Sequence, residues 1–373
     1  MTLRSGDPMD METEAPVPVA DTPQPPVFPA PHAESPAEAL IAEGRRRRAS
    51  HIHLEIGPAG ATVRMRVAGQ LTEPRRHHAD RTLAAALRSL AEVSVLAQGE
   101  AERFVLRLDG GERRERAFEA IGMSRALVDT LLPALRRGGL VLVAGPAGSG
   151  RSTTIATLLK HFSGSTRHIA TIGTLPVEGA TRIEGCAGAA AIRAALEQDP
   201  DVIALDGLDG REAAAAAAEA AEAGHLVLAA IDAPDAVSAI RRMRDWRVEP
   251  FRLASTVAAV LAQRLVQRLC PDCRRPVQAQ GSVSALLGFD SGAIVYAPVG
   301  CESCEGTGFA GETGVFEAIV ADGAIRRLIN DGGDEAILAR HAFLRAPNLG
   351  SAARALVREG LTTPEEAVRI SRG

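Results

Sequence analysis

Lysine is nearly missing from this chain: Lys160 is the one lysine among 42 basic side chains. Arginine carries the rest, a bias that suggests a GC-rich genome and that matters wherever a lysine is expected. Also missing is any run of about 18 or more uncharged apolar residues, so no segment is expected to span a membrane. The opening stretch MTLRSGDPMDMETEAPVPVA lacks the apolar core of a signal peptide, and the expected location is the cytoplasm. The formal net charge of -4 gives no global reason to expect nucleic acid or a membrane surface as partner. Five cysteines in a cytosolic chain argue against a disulfide framework and turn attention to metal binding.

What is present fits a globular protein of two domains, since 373 residues with 46% hydrophobic and 24% charged content exceed one typical domain. Residues 1–36 are rich in Pro, Ala and acids, a composition unable to bury enough apolar surface to order itself; a disordered tail is expected, with tethering as the alternative. Residues 37–119 read as a small α/β domain. A short helix (AEALIAEGRRRR) precedes alternating strands at 51–55 and 62–67, a helical run at 82–96 and a strand at 103–108. The run Arg45–Arg48 reads either as an anion-binding patch or as a solvated helix end.

A second domain, 120–373, opens with a helix at 124–137 and the apolar run GLVLVA (139–144), bounded by glycine as a buried parallel strand should be. Helical segments at 153–162, 189–198 and 212–223 then alternate with the apolar runs HIATI, DVIAL and HLVLAAI. That alternation predicts a parallel sheet covered by helices.

Residues Gly145, Pro146, Ala147, Gly148, Ser149, Gly150, Arg151 and Ser152 fit the phosphate-loop pattern G-x-x-x-x-G-K-[ST] everywhere except the lysine, replaced by Arg151. With a strand before it and a helix after it, beginning near Thr153, such a loop points successive N–H groups and the helix dipole at a phosphate. Ser152 is the expected magnesium ligand. Arginine is a bulkier, planar stand-in for the compact lysine charge. ATP binding is therefore expected to survive better than hydrolysis. A purely structural glycine turn is the rival reading.

Around this loop the chain resembles the assembly ATPases of type II secretion and type IV pili. LEQDPDVIALDGLDGREAAAAAAEAAEAGHLVLAAIDAPDA looks like that family's Walker B and histidine-box region, and RRRASHIHLEIGPAGATVRMRVAGQL like its N-terminal motif and hairpin. LAQRLVQRLCPDC and GCESCEGTGFAGETGVFEAIV resemble its tetracysteine region, and LVREGLTTPEEAVRIS its C-terminal signature. The resemblance spans about residues 40–373. It implies a PAS-like N-terminal domain joined to a RecA-like ATPase domain, assembled as a hexamer. It also implies a cytoplasmic motor docked to an inner-membrane platform and its adaptor.

The departures bear on mechanism. Where the family's Walker B motif ends in a glycine-glutamate pair, Asp206 and Gly207 stand here; Asp232 replaces the histidine-box histidine. The acids of the aspartate box are replaced around Gly173–Leu175, although Pro176, Val177 and Glu178 persist. His51 and Ala68 replace aspartates of the N-terminal motifs, and the family's N-terminal arginines cannot be assigned in the shortened stretch 71–99. Phosphoryl transfer is positioning plus electrostatics, so loss of the water-activating acid is expected to be crippling. Asp206 and Asp209 are possible partial substitutes, although a residue one or two places along a strand is expected to point elsewhere. Three readings follow: an ATP-binding pseudo-ATPase joining a homo- or hetero-hexamer, a motor with a rewired site, and a zinc-held scaffold without nucleotide.

Cys270, Cys273, Cys301 and Cys304 form two C-x-x-C knuckles within an element at about 268–312, the pattern of a closed, structural zinc site. A redox pair is the rival. Cys186 stands alone and reads as a small packed residue, His77 and His78 as solvated turn residues, and Trp246 as packing.

Overall fold

The computed structural model describes residues 36–47, 49–57, 60–67, 70–77, 83, 93–98, 101–108, 118–162, 167–175, 177, 179–290 and 292–371. The tail expected at 1–36 lies outside these residues except for Pro36, as do most of the helical run at 82–96, Ala68, His78, Pro176 and Glu178.

Helix α1 (Pro36–Arg46) leads into strands β1 (Ala49–Gly57), β2 (Gly60–Val67), β3 (Gln70–Leu71), β4 (Arg75–His77), β5 (Val93–Gln98) and β6 (Ala101–Arg107). They form an antiparallel sheet ordered β3-β2-β1-β6-β5, with β4 also paired to β2. Ile52 and Leu54 alternate with polar neighbours along β1 and bury themselves with Leu40 of α1, the two-residue period of a strand with one covered face. Residues 93–96 pair with β6 as β5 and are not helical. Of the arginine run, Arg46 and Arg47 both hold Glu43, at 2.6 and 2.5 Å, so this helix end is salt-bridged.

Helix α2 (Arg125–Arg136), capped by Ser124, precedes β7 (Gly139–Ala144) and α3 (Arg151–Lys160). Next come β8 (Ile169–Ile172), β9 (Thr181–Ile183), α4 (Gly188–Leu196), β10 (Val202–Leu205), α5 (Gly210–Glu222) and β11 (Leu226–Ile231). After α6 (Ala236–Asp245) and α7 (Pro250–Thr256), the chain enters the long strand β12 (Val257–Leu269). The hairpin β13 (Arg275–Gln278) and β14 (Ile294–Ala297) flanks α8 (Gly281–Leu287), and β15 (Phe309–Val320) returns along β12. Helices α9 (Gly323–Asn330), α10 (Glu335–Ala342), α11 (Leu349–Arg358) and α12 (Pro364–Ser371) close the fold.

The seven-stranded sheet runs β15-β12-β7-β11-β10-β8-β9, parallel throughout except for β15 against β12. Strands β8, β10 and β11 are buried at every position, which is why their sequences are apolar apart from Thr171 of β8. Two apolar clusters cover the two faces: Leu131, Leu135, Ile155 and Leu158 belong to one, and the alanines of α5 with Ile192 of α4 to the other. The small side chains of α5 let it lie close to its neighbours.

One buried carboxylate joins three elements. Glu317 of β15 accepts the backbone N–H groups that open α6 and α11, from Ala236 and Leu349, each at 2.8 Å. Burial holds its carboxyl above the usual carboxylate range, against the pull of those two donors. Glu317→Ala leaves both donors without an acceptor, and each buried orphan costs about 1–3 kcal/mol. The expected loss is about 3 kcal/mol, read as a lower midpoint in denaturant titration.

Candidate functional site

The loop 145–150 leaves the C-terminal end of β7, a strand flanked by β11 and β12 near the middle of the sheet. The connection from β7 reaches β8 on one side, whereas β12 lies on the other, so the loop sits at the kind of switch point where open α/β sheets bind ligands. Gly150 is left-handed at φ 88° and caps α3 without a side chain, leaving the first turn of that helix to an external acceptor. Gly145 is glycine for lack of room: a β-carbon there meets Ser149 Oγ at 2.2 Å and the Gln263 carbonyl oxygen at 2.8 Å.

Two side chains, besides backbone bonds such as Gly145 N–H to the Ile231 carbonyl at 3.3 Å, hold the loop. Gln263, buried in β12, donates from Nε2 to the carbonyl of Ser149 at 2.7 Å. Arg151 folds back over its own loop and donates from Nη1 to the carbonyl of Gly145 at 2.7 Å. Ser149 Oγ is buried with no hydrogen-bond partner among the described residues, a polar atom held inside the loop. Pro146, Ala147 and Gly148 line its outer rim, where Ala147 and Gly148 are exposed and a β-carbon at Gly148 meets nothing. Thr153, half-buried in the first turn of α3, accepts from Thr157 through its carbonyl at 2.8 Å. A polar residue inside the apolar run VAAVLAQ was the available sign of Gln263; sequence analysis passed over it.

Asp206, directly after β10, does not point away. Its Oδ1 accepts from the hydroxyl of Ser152 and its Oδ2 from the hydroxyl of Thr174 at 2.5 Å. Its own N–H bonds the Ile172 carbonyl at 3.0 Å, so the turn after β10 is fastened to the end of β8 and the side chain is delivered to the loop. Gly207 is exposed, and Asp209, also exposed, stands at the N-cap of α5 without a capping hydrogen bond. Asp232 follows β11, and its carbonyl accepts from Arg242. A cavity of about 300 Å³ lies beside it, bounded by Arg241, Arg242 and Trp246, with the Arg242 guanidinium 5.5 Å from the indole centroid.

The four paired cysteines converge. Their sulfurs all lie within 4.8 Å of one another, and the contacts Cys270–Cys301, Cys273–Cys304 and Cys301–Cys304 measure 3.9, 3.8 and 3.8 Å. A tetrahedral zinc with bonds of about 2.3 Å separates its sulfurs by about 3.8 Å, so the tetrad fits zinc, and the spacing is far beyond a disulfide bond of about 2.05 Å. Backbone N–H groups of Cys301 and Gly308 donate to Cys304 Sγ at 3.2 and 3.1 Å, and that of Gly300 to Cys273 Sγ at 3.3 Å. Burial raises Cys273 to about 11; at Cys304 burial works in the same direction but is overcome by its backbone donors, giving about 6. Cys186 is exposed on the turn before α4, contrary to the packed position expected of it.

The comparisons with known proteins agree with this arrangement. The family model described as "Type II/IV secretion system protein" matches residues 90–369. Type II secretion system protein E of Pseudomonas aeruginosa is 35% identical over 90% of this chain and 74% of its own length. The protein HxcR of the same organism is 36% identical over 90% of this chain and 76% of its own, and the Vibrio cholerae type II secretion system ATPase E 32% over 90% and 74%. Among solved structures, the Legionella pneumophila ATPase DotB superposes with a TM-score of 0.64 at 15% identity, covering 92% of this chain and 98% of that one. The pilus retraction motor PilT with bound ADP gives 0.63 at 23% identity, over 90% and 96%. At these identities the superpositions speak for the fold.

Proposed function

We propose, for a chain that belongs to the type II/IV secretion system protein family, that it binds magnesium-ATP at the loop 145–152 and has lost most or all hydrolysis. The observation that carries this reading is the contrast between a formed phosphate loop and an exposed Gly207 where the family places its water-activating glutamate. The loop backbone and the start of α3 would hold the phosphates, and Ser152 would face the metal. Arg151, turned onto the Gly145 carbonyl, holds the loop's own backbone and must share or release that contact for a phosphate to be neutralised. Neither Asp206, engaged by two hydroxyls, nor the exposed Asp209 stands free beside the loop to orient a water.

In this reading the protein is an accessory or regulatory subunit on the cytoplasmic face of a secretion or pilus machine. It would join a homo- or hetero-hexamer with a related ATPase and reach the membrane through platform and adaptor proteins; among the described residues no helix is long and apolar enough to cross one. Zinc on the four cysteines would supply cross-linking of the two knuckles and no chemistry.

The test is titration of the full chain with a fluorescent ATP analogue and magnesium, paired with steady-state phosphate release. Saturable binding abolished by Ser152→Ala or Gly150→Ala, with release at background, is the expected result. Turnover that disappears in Arg151→Ala overturns it in favour of a motor with a rewired site. Failure to bind leaves a scaffold.

A further inference from the structure

We propose that Asp206 is the magnesium-side carboxylate of this nucleotide site, holding the metal of a bound magnesium-nucleotide together with Ser152 while Thr174 positions it. The assignment rests on the reading of the loop 145–152 as a nucleotide site. It gives a role to a residue that stands where the family has a glycine.

Three observations converge on it. First, the carboxylate reaches the loop serine from 54 positions along the sequence, bonding its hydroxyl directly, and its second oxygen takes the Thr174 hydroxyl at 2.5 Å. Magnesium takes oxygen ligands, with one or two carboxylates and the substrate phosphates. In phosphate-loop proteins generally, a loop Ser or Thr and an aspartate hold it. Asp206 is half-exposed, so its carboxylate is not sealed in the core.

Second, Gly173 and Asp206 are sterically one change. Gly173 is left-handed at φ 93°, and a β-carbon on it would come within 2.9 Å of the Asp206 β-carbon, closer than such atoms approach. An acid of the family's aspartate box at position 173 and a side chain at 206 therefore exclude each other in this backbone. The carboxylate absent from one strand end is supplied by the next, since β8 and β10 are adjacent and in register from Ile169↔Val202 to Ile172↔Leu205.

Third, the loop itself carries a sign of a ligand independent of these hydrogen bonds. Ser149, 4% exposed, has its Oγ buried with no hydrogen-bond partner among the described residues. A carboxylate next to an anion site is repulsive unless a cation lies between them, so the pairing of Asp206 with a phosphate loop makes sense with a metal.

The test compares affinity for a fluorescent ATP analogue with magnesium and with EDTA, in the full chain. In the unmodified protein magnesium is expected to tighten binding about tenfold or more. In Asp206→Asn that gain disappears, while binding without magnesium is unchanged or tighter because a negative charge has gone. Thr174→Ala is expected to reduce the gain partially. Asp206→Gly, which restores the family's residue, is the second variant should the amide disturb folding, and it too must lose the metal dependence. Manganese added with nucleotide gives the spectroscopic arm: its broadened resonance is expected in the unmodified protein and not in Asp206→Asn. A magnesium gain that survives both Asp206 variants overturns this assignment and leaves the nucleotide reading standing. No nucleotide binding under either condition overturns both.

Discussion

Arg151→Lys combined with Gly207→Glu is expected to raise steady-state phosphate release at least about 100-fold over the unmodified protein. The backbone is ready for the second change. Gly207 is not left-handed, and a β-carbon there meets only Asp209 Oδ2, at an ordinary 3.6 Å. An acid placed on this exposed position extends from the turn after β10, next to the residue already in contact with Ser152. The lysine would abandon the Gly145 carbonyl that Arg151 occupies and supply a compact charge for the outer phosphates. Restoring one transition-state donor is commonly worth roughly 10²–10³ in rate, and residues that act as a unit gain more together than apart. Both single variants should therefore remain close to background, with the double variant well above their product. A double variant that stays at background would place the decisive loss in the aspartate box, where Asp206 blocks simple repair at Gly173.

If the four cysteines hold zinc as proposed, its removal is expected to cost more stability than any substitution in the phosphate loop. Elemental analysis should find one zinc per chain, and Cys304→Ser should lose it. Loss of a structural metal belongs to the class of changes exceeding about 4 kcal/mol. For a cooperative unit of about 150–250 residues that lowers the melting midpoint by roughly 8–16 °C. Serine keeps the size of the side chain but cannot accept as a thiolate from the Cys301 and Gly308 N–H groups. A protein that carries no metal as isolated and melts unchanged with a strong chelator would leave the tetrad as reduced thiols only.

The parts of the fold that the sequence announced are those whose burial is complete. Strands β7, β8, β10 and β11 are apolar but for Thr171 because both their faces are covered, and the sequence places each to within a residue or two. The end of the run at 82–96 misled because VSVL follows an alanine-leucine helical pattern, yet pairing with β6 makes it β5. LAQRLVQRL, read only as part of the tetracysteine region, is ambiguous for a related reason. Its apolar spacing suits a helix as well as a strand, and only the ladders to β7 and β15 decide. The phosphate loop and the cysteine knuckles were legible because their chemistry lies in contiguous residues. Ser152, Thr174 and Asp206 meet only through the sheet, and no local pattern marks that contact. The expectation that Asp206 points elsewhere treated it as part of the strand, whereas it sits in the turn just beyond β10, where strand alternation no longer governs.

Strand β12 links the four cysteines to the loop 145–150. The same 13-residue strand carries Gln263 under the phosphate loop and delivers the chain to Cys270 immediately after its last residue. Its far half is also where the C-terminal helix is moored, through Thr362 to the Gln267 carbonyl at 2.7 Å and Glu366 to the Gln267 N–H at 3.0 Å. The tetracysteine element and the loop thus share one strand. The support of the loop at Gln263 and the approach to the first cysteine knuckle lie six residues apart on it, so a disturbance at Cys270 has a direct path along β12 to the loop.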